Sequence, residues 1–367
     1  MKKVIAFVVI LLLAGSFLAE EAEAQRKRRY KPSVNRRIDK YKGSRSAMSN
    51  SHKYKILGFS VNAFNYFGDL APVSKAASTD ISFTNPGFGI IYGQRISPWV
   101  TARAGFTFGQ LEGDDFQSQD VNNYESLTRY TRNLQFKNNI YELTAGLQID
   151  LFPNYRGPYS RAPFAPFVFV GLTGFYHEPK GLAPDTDQAG NPLDEAGQWV
   201  KLRPLGTEGQ FTDVGKVETY SNIQLAIPLG LGIKVRLPNN FDAVLELGYR
   251  YLLTDYIDDV GGTYVDLGAF DNNLARAFSD RSAEQNSILT GEQRDFETIS
   301  AAGIGGVYSY TSSIDGNTYR VVNGYGSAPA PGGSDLIRGN KDNDMYFITS
   351  IKIHYIISNG RGSARYR

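Results

Sequence analysis

The chain has 367 residues, of which 41% are hydrophobic and 13% aromatic, with 38 glycines, no cysteine and a formal net charge of +2. Without cysteine it has no disulfide and no lipid-modified cysteine, which excludes a lipoprotein anchor. The fold must therefore be held together by ordinary burial, by a metal, or by a solvent other than water.

Residues 1–24 have the three parts of a Sec signal peptide. The chain begins MKK, continues through the apolar run VIAFVVILLLAG, and reaches the small-x-small site AEA just before Gln25. The apolar run is short for a transmembrane anchor, and acidic residues follow it directly. We expect cleavage after Ala24, export from the cytoplasm and a mature chain of 343 residues.

Residues 25–55 are strongly basic, with twelve Lys or Arg and one acid, Asp39, which leaves residues 56–367 with a net charge of −8. We expect this basic arm to be disordered when free, because it has almost no large aliphatic residues. Export excludes nucleic acid as a partner, so anionic lipid headgroups, peptidoglycan or an acidic protein remain. A solvated tether is the alternative. The stretch 358–367, SNGRGSARYR, forms a second, shorter basic segment at the C-terminus.

Eight stretches alternate large apolar residues with small or polar ones, a pattern typical of β-strands. In SNIQLAIPLGLGIKVRL every second residue from Ile223 to Leu237 is aliphatic. Glycines, amides and cations occupy most of the opposite face, so one face of this strand is apolar and the other is not. The predicted strands are 55–67, 87–96, 99–109, 140–152, 166–177, 221–237, 241–253 and 345–357.

The connections between these strands alternate between long and short. The second connection is SP, the fourth has about thirteen residues rich in Pro and Gly, and the sixth is PNN. The first, third, fifth and seventh connections have about twenty, thirty, forty and ninety residues. Short periplasmic turns and longer external loops are typical of outer-membrane barrels. We therefore predict an all-β fold over residues 56–357: an eight-stranded antiparallel up-and-down transmembrane β-barrel with long external loops.

A soluble sandwich or a lipocalin-like barrel would have the same periodicity, with its apolar face turned inward. Three features favour the membrane barrel: the connection lengths, the glycine- and charge-rich polar faces, and aromatic residues near the strand ends. Those aromatic residues include Trp99, Phe152, Tyr176, Phe241, Tyr251 and Tyr355. Pro228 lies in the middle of a strand and removes a ladder hydrogen bond, so we expect a bulge or a local break there.

An eight-stranded barrel is only wide enough for side chains to fill it. The predicted inward charges are Arg103, Glu142, Asp150, Lys234, Arg236, Glu246, Arg250 and Lys352. These charges predict a plug of paired side chains, because unpaired buried charges are costly. The alternative is an ion-selective pore.

The histidines and a group of loop acids are the other candidate functional residues. The histidines are His52 in the arm, His177 at the external end of the fifth strand, and His354 facing the lumen. No catalytic signature surrounds them, so structural roles are expected.

The longest loop is preceded by four acids whose ligand chemistry is suited to Ca²⁺: Asp255, Asp258, Asp259 and Asp266. Their spacing is not that of an EF-hand, and we expect solvated loop acids.

Several phrases resemble the PorG-like outer-membrane barrel family of Bacteroidota over residues 56–357. They are NYFGDL (65–70), RNLQFKNNIYEL (132–143), QWVKLRPLGTEGQ (198–210), QLAIPLGLGIK (224–234) and LELGYRYLLTDYIDDVGGTYVD (245–266). The resemblance implies a component of the type IX secretion machinery, associated with a periplasmic ring built from PorK and PorN. It carries over no catalytic residue.

The sequence thus leads us to expect a non-enzymatic assembly component of the cell outer membrane, with no catalytic, cofactor-binding or metal-binding residues. Its expected partners are outer-membrane lipid and PorK/PorN-like ring proteins, with no nucleic acid and no small-molecule substrate. A surface-exposed adhesin or receptor barrel is an alternative that would depend on the external loops. An outer-membrane lipid-modifying enzyme is a further alternative.

Overall fold

A computed structural model describes residues 53–70, 84–117, 124–155, 157–215, 217–301, 306–322, 338–339 and 343–357. The predicted signal peptide, the basic arm up to residue 52 with His52, and the C-terminal basic segment lie outside these described residues. Within the described residues, no helix is both long and apolar enough to cross a membrane.

The described residues form twelve β-strands and three short α-helices. The strands are β1 Lys55–Phe67, β2 Asn85–Arg95, β3 Val100–Asp114, β4 Gln135–Asp150, β5 Phe164–Tyr176, β6 Pro179–Leu182, β7 Trp199–Lys201, β8 Ile223–Arg236, β9 Phe241–Leu252, β10 Val307–Thr311, β11 Thr318–Val322 and β12 Met345–Ile357. The helices are α1 Tyr124–Arg132, α2 Asn273–Ser279 and α3 Phe296–Ala301.

Eight of the strands close into a barrel. Each pairs antiparallel with its neighbours in the order β1-β2-β3-β4-β5-β8-β9-β12, and β12 pairs with β1 along the full length of both, from Lys55 opposite Ile357 to Phe67 opposite Met345. These are the eight strands that the alternating pattern predicts. The all-β, eight-stranded antiparallel barrel is therefore confirmed, because the ladders close on themselves through the β1–β12 pair.

The short connections lie at the end of the barrel where β1 begins and β12 ends. At the β8–β9 turn, Asn239 and Asn240 adopt φ values of 57° and 64°, and the Phe241 amide donates to the Pro238 carbonyl at 3.3 Å. Two consecutive left-handed residues give the turn the twist that a tight hairpin needs, and asparagine tolerates that conformation well. By the usual rule for outer-membrane barrels, this end is periplasmic.

The local break expected at Pro228 is present on one side of β8. The β5–β8 ladder pairs Val170 with Leu229 and then resumes at Thr173 opposite Ala226, so the pairs opposite Ile227 and Pro228 are missing. The register is the same on both sides of the gap, which makes it a break and not a bulge. The β8–β9 ladder runs through Pro228 without interruption.

The wall rises further on the external side than the sequence predicts. β3 and β4 pair continuously from Val100 opposite Ile149 to Asp114 opposite Gln135, five residues beyond the predicted ends of both strands. The outward residues of this extension are polar, so the apolar alternation that marks a strand in lipid stops while the hydrogen-bonded ladder continues. β6 and β7 add to the same extension next to β4.

The largest buried apolar cluster closes the external end of the lumen. Inward side chains such as Phe64, Phe136 and Tyr346 meet loop residues such as Leu202 and Phe278. Two smaller clusters lie above it, one under the β10–β11 hairpin and one between α1 and α3. The described parts of the external loops therefore form a packed cap.

Candidate functional site: the membrane-facing wall and the external cap

The outer face of the barrel is a continuous apolar belt. Leu143, Ile351 and Leu231 are 68%, 65% and 64% exposed, whereas inward neighbours such as Glu142 and Ser350 are buried. Leaving such a side chain in water instead of an apolar surrounding costs about 1.5–3 kcal/mol each. The belt includes Leu57, Phe59, Val61, Ile90, Phe106, Leu143, Leu147, Leu172, Leu225, Leu229, Leu231, Leu245, Leu247, Ile351 and Ile353. Its natural surrounding is hydrocarbon.

Aromatic pairs mark both edges of the belt. At the external edge Tyr141 lies between Phe108 and Tyr176, with ring centroids 5.0 and 6.2 Å away. At the periplasmic edge the rings of Phe241 and Tyr355 are 5.2 Å apart. Along β12 the apolar belt runs from Phe347 at the external edge to Tyr355 at the periplasmic edge, an advance of eight residues. This corresponds to about 27 Å along the tilted strand, or roughly 20 Å of membrane depth. This matches the apolar band and the two aromatic girdles of an outer-membrane barrel.

Carboxylates in the lumen are each shared between two partners. Near the periplasmic end, Asp150 accepts from Arg95 Nη1 at 2.5 Å and from Lys234 Nζ at 2.6 Å. At the middle, Glu246 accepts two hydrogen bonds from Arg103, at 2.7 and 2.9 Å, and pairs with Lys352 at 2.9 Å. One carboxylate that pairs with two cations in this way offsets part of the free energy that it costs to take both cations out of water.

A third carboxylate lies at the external end of the lumen. Glu142 is fully buried, pairs with Arg250 Nε at 3.1 Å and accepts from the Tyr346 hydroxyl. In these three clusters five cations face three acids, and aromatic rings supplement the acids: the guanidinium of Arg103 lies 3.7 Å from the ring centroid of Phe169. Cation–π contact in a desolvated site stabilises the excess positive charge.

The charges thus form a plug, as the sequence predicts. A small cavity of about 30 Å³, with Arg103, Glu246 and Lys352 in its lining, remains in the lumen and has room for one or a few water molecules. One predicted inward residue does not belong to it: Arg236 is exposed at the periplasmic rim, where its guanidinium donates to the Arg161 carbonyl at 3.2 Å. It follows Lys234 by two residues and so falls below the level at which the lumen is closed.

Buried arginines hold the cap together, and no local sequence pattern predicts them. Arg132 bonds both oxygens of Asp115 at 2.8 Å and donates to the carbonyls of Asp69 and Arg338 at 2.7 Å. Arg294 donates to four carbonyls, two of them in α1. Because guanidinium groups offer five donors in a fixed plane, each can join several loop segments at once. The other members of the set are Arg276, Arg281 and Arg338.

The loop acids are not solvated as expected. Asp258 accepts from the Tyr66 hydroxyl at 2.6 Å, and the same hydroxyl is 3.1 Å from Asp344. Asp259 accepts from Thr207 and Tyr220 at 2.6 Å each, and burial raises its pKa to about 6. The expectation is wrong for Asp258 and Asp259 because the cap folds over them. Asp255 and Asp266 are partly exposed.

No group of three or more His, Asp or Glu side chains among the described residues is arranged to hold a metal ion. His177 is buried at the external end of β5, where its Nε2 lies 3.1 Å from the Ser221 carbonyl and its ring stacks on Tyr220. Burial lowers its pKa to about 4, so the ring is neutral at pH 7. His354 is buried in the lumen wall against Gly58.

The cap also carries an external groove of about 540 Å³. Residues 182–188 form one side and residues 283–288 the other, with Asp187, Asp280 and Arg320 among the polar groups that line it. Asp187 and Asp280 are buried, whereas Arg320 is exposed. The groove has the size of a small-ligand or peptide site.

Three features together define the class of protein as a membrane-spanning β-barrel: the strands close on themselves, an apolar belt lies between two aromatic girdles, and the polar lumen is filled. In hydrocarbon every backbone amide and carbonyl must be paired within the protein, and only a closed barrel achieves this with strands. The protein is an integral β-barrel of the cell outer membrane, with its short turns on the periplasmic side and its cap outside.

Residues 45–194 match a family described as "Domain of unknown function (DUF6089)". No curated protein sequence matches the chain. The chain is similar to the solved structure of Neisserial surface protein A, with 10% identity, a TM-score of 0.31, and 83% of this chain and 96% of that chain covered. It is also similar to a major outer membrane protein from Thermus thermophilus, with 11% identity, a TM-score of 0.31, and 82% of this chain and 99% of that chain covered. A third similar structure is that of Ail, the attachment invasion locus protein of Yersinia pestis, with 10% identity, a TM-score of 0.27, and 55% of this chain and 88% of that chain covered. These TM-scores are below 0.5, so the fold assignment rests on the barrel itself.

Proposed function

We propose that the protein is a non-enzymatic assembly component of the type IX protein secretion machinery that anchors a periplasmic ring complex at the outer membrane. The filled lumen is the observation that carries the proposal. Paired charges close the barrel from Asp150 to Glu142, and the apolar cluster closes its external end. A barrel filled in this way acts through what is attached to it, since its interior offers no conduit.

The secretion role itself is supported by the phrases that resemble the PorG-like family. They fall on the external end of β1, on the junction of α1 and β4, on β7 and the turns after it, on β8, and on β9 with the buried acids. The resemblance implies PorK/PorN-like ring proteins as partners. Outer-membrane lipid is the partner of the belt.

The basic arm is the proposed docking element. β1 begins at Lys55, at the end of the barrel that carries the short turns, so the arm joins the barrel on the periplasmic side. Its net charge of +11 would attract an acidic ring or cell-wall partner. Such a field raises association rates and fixes orientation more than it raises affinity.

The test is recovery of periplasmic proteins by affinity purification of three chains: the full-length protein, a variant lacking residues 25–54, and a variant whose arm is scrambled at constant composition. We expect the deletion to lose the ring proteins and the scrambled arm to retain most of them, because charge and not sequence drives the encounter. Equal recovery with all three would rule the arm out as the docking element.

A second experiment tests the secretion role independently of the arm. Deletion of the gene should deplete the culture medium and cell surface of proteins exported by the type IX route, and expression of the full chain should restore them. Unchanged secretion in the deletion strain would refute the proposed role and leave the barrel assignment intact.

The external groove favours a surface receptor or adhesin as a second candidate. That function would depend on the loops 178–220 and 254–344, which supply both sides of the groove. Trimming these loops should abolish ligand binding while periplasmic partners are still recovered. The anchoring role predicts the opposite dependence, on the arm.

A further inference from the structure

Three lysines stand side by side on the outer face of the wall extension. Lys137 of β4 is directly opposite Lys180 of β6, and Lys180 is directly opposite Lys201 of β7. Residues directly opposite each other in an antiparallel pair share one face of the sheet, with Cβ atoms about 4.5–5.5 Å apart. The three ammonium groups therefore form one row across three neighbouring strands.

This row faces the membrane side of the wall. β6 continues the line of β5 along β4: Tyr141 pairs with Tyr176, and Lys137 pairs with Lys180 in the same register. Alternation then places Lys180 on the same face as the girdle residue Tyr176. The opposite face of β6 packs on the cap, since a side chain at Gly181 would collide with Phe278.

The row lies two rows of side chains above the external aromatic girdle. Lys137 is four residues beyond Tyr141, which corresponds to about 14 Å along the strand and roughly 10 Å of height at the usual tilt. Between them lie Gln110 and Asn139, which hydrogen-bond to each other at 2.6 Å. Hydrocarbon ends near the girdle, so the lysines reach the polar zone of the outer leaflet.

The row is only partly neutralised by the described residues. Lys201 pairs with Glu178 at 2.8 Å in an exposed contact, and Glu112 of β3 lies opposite Lys137 without forming an ion pair with it. Lys180, at the centre, has no acidic partner among the described residues. Like charges directly opposite each other destabilise a sheet, so the arrangement favours an anionic ligand.

Trp199 adds an interfacial anchor to the row. It lies on the same face, 38% exposed, two residues from Lys201, and the ammonium of Lys137 is 5.4 Å from the centre of its ring. Tryptophan prefers the boundary between hydrocarbon and headgroups, and long lysine side chains extend toward polar groups from such positions. The combination suits a lipid that carries both acyl chains and phosphate.

We propose that Lys137, Lys180 and Lys201 bind the phosphate groups of the glycolipid that forms the outer leaflet. The site would order lipid against β6 and β7. It rests on the membrane embedding of the barrel and is independent of the secretion role. Lys201 is exposed and Lys137 and Lys180 are half-buried, so lysines on three adjacent strands give a broad, multi-point contact of the kind that clustered phosphates require.

Binding is tested with the full chain in nanodiscs or mild detergent, using fluorescent lipid A that carries two phosphates and the same lipid with both phosphates removed. We expect the wild type to bind the phosphorylated form at least tenfold more tightly, with a preference that weakens as salt is added. Each single change to glutamine (K137Q, K180Q or K201Q) should weaken binding roughly fivefold, and the triple variant should lose the preference.

The matched control removes three exposed cations at the periplasmic end, Lys53, Lys55 and Arg236, and so changes the net charge equally. The control should keep the preference. If the triple variant keeps it, if the control loses it equally, or if dephosphorylated lipid A binds equally well, the site is overturned. A further outcome is that the triple variant loses a co-purified acidic protein but keeps its preference for phosphorylated lipid A. That result would assign the row to a protein partner and would also overturn the proposal.

A stability measurement separates ligand binding from a merely structural role. In neutral detergent, Lys180→Gln should leave the resistance to unfolding unchanged or raise it slightly, because it removes repulsion between neighbouring lysines. In bilayers containing phosphorylated lipid A the same change should lower it. A change of the same sign in both surroundings would contradict the proposal.

Discussion

Glu246 is the residue on which the middle of the lumen depends, because it neutralises Arg103 and Lys352 together. Replacing Glu246 with alanine leaves two buried cations without an acid and should lower the free energy of unfolding by about 3–5 kcal/mol. Lys352→Met should cost much less, since Glu246 keeps its two hydrogen bonds from Arg103.

Urea unfolding of the barrel in lipid vesicles measures these differences. The control is Glu178→Gln, which removes the exposed pair with Lys201 and should change stability by at most about 1 kcal/mol. Comparable small losses for Glu246→Ala and Glu178→Gln would show that the lumen charges are solvated and that the barrel is not plugged.

Two other residues, Asp258 and Asp344, should make the cap sensitive to pH. Burial, followed by the neighbouring carboxylates, raises the pKa of both groups well above the usual range. Between pH 4 and the folded-state pKa, the folded cap holds protons that the unfolded chain has lost. The cap should therefore lose stability as pH rises through this window, since the folded state binds more protons.

Asp344→Asn should remove part of this dependence, because the amide carries no charge at any pH. Its oxygen can accept from the Ile257 N–H, while its NH2 group donates to the Tyr66 hydroxyl. The measurement is hydrogen exchange at the Val260 amide, corrected for its intrinsic rate. We expect the variant to be better protected than wild type at pH 8 and similar at pH 5. Asp271→Asn, at an exposed position, should behave as wild type; identical pH profiles for all three proteins would count against the carboxylate cluster.

At this scale the sequence predicts some contacts and not others. The inward charges of Glu142, Asp150 and Glu246 follow from strand alternation, so their burial was predictable. The cap arginines were not, because Arg132 and Arg338 reach partners far away in the sequence. Nothing in the local pattern distinguishes such an arginine from a solvated one, and the same holds for the burial of Asp258.

Among the elements, the β8–β9 hairpin has the most specific backbone requirement. Asn240→Val places a β-branched residue at φ 64° and should destabilise the barrel by about 1–2 kcal/mol. Asn240→Gly should be neutral within about 0.5 kcal/mol, since glycine adopts this conformation freely. The measurement is again urea unfolding, and an equal loss for both substitutions would mean that the side chain and not the backbone matters.

The barrel strands were predictable because lipid on one side and a packed lumen on the other impose a strict period of two. The upper parts of β3 and β4, from Gln110 to Asp114 and from Gln135 to Asn139, escaped prediction because their outward residues are polar. The short cap strands β6 and β7 and helix α2 are stabilised by packing on the cap. Tertiary contact, and not local pattern, determines those elements.

For the whole molecule, membrane insertion depends on which way the apolar faces point. The belt, the girdles and the lysine row are three levels of one outward surface, and the charged plug is the inward surface. If the apolar faces pointed inward, the anchoring role and the lipid site would both fail. The lumen pairs would then have to lie in water, where they contribute little.

Spin labels at single introduced cysteines test this directly, and the absence of native cysteine makes each label unique. Along β12 in lipid bilayers, labels at positions 347, 349, 351, 353 and 355 should collide with lipid-dissolved oxygen, and labels at 348, 350 and 354 should not. Labels at 137 and 180 should report the headgroup zone. Oxygen contact at the even positions of β12, or no alternation at all, would contradict the account.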